Sequence, residues 1–338
     1  PEITTEYEFG VDLKFLDNRF GIDVAYYNRS ITNQILRVPV PVTSGYTSQT
    51  KNLGEVSNKG IELMLNLTPI RSKNFTWDIA YNYTKNKNMV ESLNDDLERV
   101  VLHGAYGIEM RAEPGKPMGV IYGQTEARTD EGQIIVNPAG IPLEADEKVE
   151  YGNVNPDYTM GLSNALTYKN FKMNVNFDYR KGGMMYSYTQ RLMMFVGNAT
   201  NTLYNDRNPW IVPNSVTDNG DGTYSENTSA IDYSDVNNFH NQGSNASRNQ
   251  DHMHSKTFLK LREVSLGYSF PSQLLDRTPL NSLTLDLIGR NLLLFTPESN
   301  NLIDPESTTF GNDLLGEFGE FGGGPTTRSF GVSLKATF

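Results

Sequence analysis

Not one of the 338 residues is cysteine, so neither a disulfide nor a thiolate metal site is open to this chain. Basic residues are outnumbered by acidic ones, 29 to 40, for a formal net charge of -11, and without a basic face nucleic acid is not an expected partner. Long apolar runs are missing as well: no window approaches the roughly 18 residues of a membrane helix. Mean hydropathy is -0.49. A chain of this kind enters a bilayer only as a barrel, because helices and closed barrels are the two structures that satisfy their backbone in lipid. His252 and His254 lie two apart, but no third ligand of suitable spacing is near, so they read as solvated loop residues; His103 and His240 are isolated. No HExxH, GxSxG, P-loop or dinucleotide fingerprint occurs, and no acidic pair stands out as acid and base. No catalytic residue or metal ligand is therefore assigned, and an enzyme is not expected.

What the chain does have is alternation. In its last stretch Phe330, Val332, Leu334, Ala336 and Phe338 share one parity, and Ser329, Gly331, Ser333, Lys335 and Thr337 the other. The same pattern appears at Tyr7 to Phe15, returns after an Asp17-Asn18 turn at Phe20 to Tyr26, and recurs at Ile61 to Leu67 and Phe75 to Tyr83. Downstream it runs through Tyr158 to Tyr168, Phe171 to Tyr179, Val264 to Phe270 and Leu283 to Leu287. In Phe258 to Glu263, Lys260 and Arg262 fall in the apolar register, and a β-bulge there restores the parity.

About nine strands of roughly 9 to 14 residues result. Short connections at 17–18, 69–74, 169–170 and about 271–280 alternate with long ones at about 28–54, 87–156, 181–255 and 292–326. That sorting predicts a transmembrane barrel with tight turns on one side and large loops on the other. Aromatics gather beside the short turns, namely Phe15, Phe20, Phe75, Trp77, Tyr168, Phe171, Tyr268 and Phe270, and with the terminal Phe338 they are the expected membrane girdle. The chain opens on Pro1 with no signal peptide, and with its last strand ending in the periplasm its first would start outside, so an N-terminal portion is expected to be absent.

Several runs resemble a known family: PEITTEYEFGVD (1–12), NRFGIDVAYY (18–27), NLGEVSNKGIEL (52–63), EPGKPMGVIYG (113–123), FLKLREVSLGYSFP (258–271) and GRNL (289–292). They span the chain in the order of the C-terminal barrel half of SusC/RagA-type TonB-dependent outer-membrane transporters. The resemblance implies an all-β fold over 1–338, the C-terminal portion of an antiparallel barrel of about 22 strands. It implies an N-terminal plug outside this chain, contact with the TonB complex through that portion, a SusD-like surface lipoprotein as lid, and energised uptake of oligosaccharides or peptides. A purely structural or adhesive barrel, and a soluble all-β sugar-binding domain, are the alternatives.

Candidate binding residues follow from parity and chemistry. Lys172, Asp178, Arg180, Asp286 and Arg290 fall on the polar parity and would face the lumen; of these Arg180 and Arg290 are the substrate candidates. Tyr186, Tyr188, Trp210 and Tyr224 lie in loops, where their rings would stack on sugars, with ordinary loop packing as the plain alternative. The Asn-rich tract at 237–250 fits a surface loop with amide partners for sugar hydroxyls. Asp218-Asn219-Gly220-Asp221-Gly222 has the look of half a calcium loop, but Ser229 stands where a full loop needs Glu, so a plain hairpin turn is preferred over calcium at Asp218 and Asp221. No cofactor is expected.

Overall fold

Among the described residues nine long antiparallel strands follow one another as a continuous meander: β1 (Ile3–Phe15), β2 (Phe20–Thr32), β3 (Glu55–Arg71), β4 (Phe75–Ser92), β5 (Tyr158–Tyr168), β6 (Phe171–Lys181), β7 (Phe258–Ser269), β8 (Ser282–Phe295) and β9 (Ser329–Thr337). The computed structural model describes residues 1–40, 42–52, 54–93, 97–231, 239–240, 248–311 and 313–338. Residues 237–238 and 241–247 of the Asn-rich tract thus lie outside the described residues. Each strand pairs with its sequence neighbour, so the sheet needs no crossover.

Register explains why the alternation matters. One row across the sheet runs Leu13, Ile22, Leu65, Tyr81, Leu162, Phe177, Leu261 and Leu293. The row on the opposite face beside it runs Asp12, Asp23, Met64, Asn82, Gly161, Asp178 and Lys260. A one-residue slip would exchange the faces, so the apolar pattern fixes the pairing of every strand. The apolar side is open to the surroundings: Phe9 is 72% and Phe330 77% exposed. Asn164 interrupts the apolar rows, and its amide oxygen accepts the Trp77 indole N–H at 3.2 Å.

The short turns sit at one end. Leu16, Asp17 and Asn18 all have positive φ, which widens the first turn to 16–19. The second is tighter than 69–74, because β3 continues to Arg71 past a register shift between Leu67 and Ile70. Pro69, with no N–H to give the ladder, lies in that shift. Lys169 takes the left-handed conformation in the third, and Ser272–Leu275 forms a helical turn in the fourth. The expected bulge in β7 is present: both neighbours pair with Leu261 and Glu263 and skip Arg262.

The long connections, 33–54, 93–157, 182–257 and 296–328, fold against one another at the other end. Val100–Ala105, Ile108–Ala112, Val120–Gly123 and Val149–Asn153 make a four-stranded sheet. Met184–Ser187 is flanked by Met253–Ser255 and Gly319–Glu320, which ties the third long loop to the last. The buried apolar clusters lie mainly here. One gathers Val56, Val90, Val100, Ala112 and Met118; a second Ile108, Met110, Ile121, Val154, Tyr186, Met253 and Phe318; a third Val136, Trp210, Val212 and Ile231.

Candidate functional site

Where the polar face of β5 to β7 meets the last long loop, a cavity of about 410 Å³ opens. Its wall side carries Asn82, Thr159, Asp178, Arg180 and Arg262, and its loop side Pro305, Glu306, Thr308 and Glu317. Period two places Asp178 and Arg180 on the same face of β6, while the bulge at Arg262 turns that side chain onto it as well. Arg262 donates from Nε to Asp178 at 2.5 Å and from Nη1 to Glu306 at 2.6 Å. Arg180 donates to Glu317 at 2.9 Å and to the Val154 carbonyl at 2.8 Å, and Lys256 reaches the same Glu317 oxygen at 2.5 Å. Behind them the fully buried Lys260 bonds Asp304 at 3.4 Å, the Thr326 hydroxyl at 3.1 Å and Glu306.

The cations therefore come from the wall and its rim, and three of the carboxylates come from the last loop. Burial lowers the Lys256 amine and the Arg180 charge adds to this, while Glu317 works in the opposite direction. Burial alone would raise Glu317, but the charges of Lys256 and Arg180 outweigh it and hold the carboxyl below its usual range. Asp304 and Glu306 behave likewise: burial opposes, and hydrogen bonds from Thr326 and from Arg262 respectively lead the effects that lower them.

Residues 1–190 match the family described as TonB dependent receptor-like, beta-barrel. The chain belongs to that family. It is 27% identical to TonB-dependent receptor P3 of Formosa agariphila over its whole length, covering 34% of that protein, and 26% identical over 80% of its length to TonB-dependent receptor SusC of Bacteroides thetaiotaomicron, covering 26% of it. The chain spans about a third of the length of curated relatives such as P3. Among solved structures it resembles the RagAB peptide transporter, with a TM-score of 0.70 and 20% identity over 98% of this chain and 35% of that one, a likeness of fold. The nine-stranded sheet is thus a portion of a TonB-dependent receptor barrel wall, and its apolar face is the outer one.

Of the binding candidates in this barrel portion, Arg180 lines the cavity, whereas Arg290 stands apart on the inner face, paired with Glu263 at 2.8 Å. Tyr186 is fully buried in the loop core, its ring 6.0 Å from His252, and burial pushes its phenol up. Tyr188 stacks between Tyr106 at 4.7 Å and Phe321 at 5.7 Å. Trp210 packs edge-on against Phe239 and Tyr204. These three rings pack among other loop side chains, while Tyr224 stays exposed on a hairpin whose tip holds Asp218 and Asp221. Asp218 accepts the Gly220 N–H at 2.7 Å, and Asp221 the Thr223 N–H at 3.0 Å. Among the described residues no group of three or more His, Asp or Glu is placed to hold a metal.

The histidines depart from expectation. His252 and His254 are buried rather than solvated, because they lie on and beside the strand Met253–Ser255 inside the loop core. His252 finds no hydrogen-bond partner for either nitrogen, and burial, with Arg191 and His254 beside it, pushes it down to about 3. His254 donates from Nδ1 to the Ser299 carbonyl at 3.1 Å.

The residues expected to form a girdle lie close to the short turns. Phe75, Tyr168, Phe171 and Tyr268 share one row beside the turns, continued by Leu285 and Leu334. Phe15 and Phe20 touch at 5.8 Å, Tyr268 and Phe270 at 5.1 Å, Trp77 lies one outer-face row inward, and Phe338 is 82% exposed at the end of β9. Lys256, Glu306 and Glu317 were not legible as site residues. Lys260 and Arg262 carried a signal, their break in parity; the loop carboxylates carried none, being 44 to 137 residues from their partners.

Proposed function

We propose that this chain forms the C-terminal wall and mouth of an outer-membrane, TonB-dependent importer. It takes up an oligosaccharide or an oligopeptide, with a SusD-like surface lipoprotein as lid and the TonB complex supplying energy through a portion of the protein outside this chain. The observation that supports the reading is sidedness: four short turns at one end of an apolar-faced sheet, and at the other the long folded loops, the last of which closes a charged cavity against the wall. Turns facing the periplasm and loops facing outward is the arrangement such barrels use. The relative named SusC and the neighbour described as a peptide transporter support transport, and they leave both nutrient classes in play.

The test is deletion within 184–250 of the full-length protein, followed by growth and uptake assays on glycans and peptides. The wall strands β6 and β7 flank this stretch, so insertion and heat-stable barrel folding are expected to persist while uptake falls. A barrel that fails to assemble would make the loop scaffold, and unchanged uptake would remove it from the transport path.

A further inference from the structure

The cavity is polarised along β6. At one end two cations, Arg180 and Lys256, share the single carboxylate of Glu317. At the other, Arg262 is shared by two carboxylates, Asp178 and Glu306, the second of which also serves the buried Lys260. Asp304, the other partner of Lys260, brings that end to three carboxylates against two cations, so one end carries an excess of positive charge and the other an excess of negative charge. Asp178 and Arg180 are two residues apart on one strand face, which sets the ends roughly 7 Å apart. Two residues of extended chain span the same distance.

The positive end is also built to stay. The Lys256 and Arg180 side chains are 2% and 15% exposed, whereas that of Glu317 is 36% exposed, so the cations are fixed and their shared anion lies on the open side. A second anion can approach there without moving either cation. The volume, about 410 Å³, falls within the roughly 300–1,000 Å³ of small-molecule sites.

Resting on the import reading above, we propose that this cavity is a subsite for a zwitterionic group, with a carboxylate held by Arg180 and Lys256 and an ammonium held by Asp178 and Glu306. A neutral glycan offers neither charge. A free peptide carries both at its termini, and an amino-sugar acid carries both on one ring.

The test measures binding to the full-length protein in detergent by equilibrium dialysis. The ligands are alanylalanine, its N-acetylated form, its C-amidated form, muramic acid and maltose. Free alanylalanine should bind, and blocking either terminus should weaken it about tenfold or more, the scale of one lost hydrogen bond to a charged group. Arg180→Gln should erase the difference between free and amidated forms, and Asp178→Asn that between free and acetylated forms. Muramic acid binding as tightly as the dipeptide supports the site and assigns it to amino-sugar acids; weaker binding supports it and assigns it to peptides. Blocked dipeptides or maltose binding the wild-type protein as tightly as free alanylalanine, or no binding of the free dipeptide, overturns the proposal, and neither result depends on a variant folding. Uptake of a nutrient without this charge preference would leave the import reading standing and remove the subsite.

Discussion

An arginine introduced on the outer face of the sheet meets mainly apolar side chains and no carboxylate across its strand pairs. Leu63 lies between Val24 and Tyr83, and Leu285 between Tyr268 and Leu334. Arg at Leu63, Leu65, Phe177 or Leu285 should therefore cost about 2–4 kcal/mol in refolding titrations into bilayers. At Met64, Asn176 or Asp286, on the wet face, it should cost far less, and equal costs on both parities would contradict the membrane placement. Asn164 shows how an amide is tolerated among apolar rows, through the Trp77 indole. At this scale, parity along a strand made wall residues readable, Arg262 included, because alternation has only two outcomes. Tyr186 and His252 were opaque for the opposite reason: a loop has no period to say which side chains turn inward, and here they do.

Among the elements, the wall strands were legible nearly end to end, and the loops were legible only as lengths. Their packing depends on contacts across the chain, such as Gly319–Glu320 beside Met184–Ser187. The last loop is fastened to the wall chiefly by its carboxylates, so Glu317→Gln should loosen it. Loss of a partner from a buried charge costs about 3–5 kcal/mol, and the low end applies because Glu317 is open to water. Faster amide exchange over 296–328 with an unchanged wall would register the effect, and identical exchange would show that the pair holds nothing. Acid should loosen the third loop too. His252 has a folded value of about 3, below the roughly 6.5 of free imidazole, so the unfolded loop takes up the proton first as pH falls. The loop's stability is full above about pH 6.5 and declines by about 1.4 kcal/mol per pH unit down to the folded value. Lowered carboxyls at Glu317, Glu306 and Asp304 add a further loss at still lower pH. Proteolysis of 182–257 should quicken between pH 7 and pH 5 and lose part of that dependence in His252→Phe, the remainder coming from His240 and His254, which burial lowers in the same loop; a pH-independent rate in the unsubstituted protein would contradict the burial of neutral imidazoles.

Taken whole, the molecule inverts the usual plan of a soluble domain. Its buried apolar clusters lie mainly in the connections, while the longest strands turn their apolar side outward. Water makes such a surface costly, at about 25 cal/mol for each Å² of apolar area, and lipid removes the cost. The central claim is thus that one parity of the wall meets lipid and the other meets water. Nitroxide labels on single cysteines from Ser329 to Thr337 test it most directly, in the full-length protein reconstituted in a bilayer, with oxygen as the lipid-soluble relaxer and a nickel chelate as the aqueous one. Phe330, Val332, Leu334 and Ala336 are expected to respond to oxygen, and Ser329, Gly331, Ser333 and Lys335 to the chelate, in strict alternation. Chelate access that is equal on both parities would contradict the account.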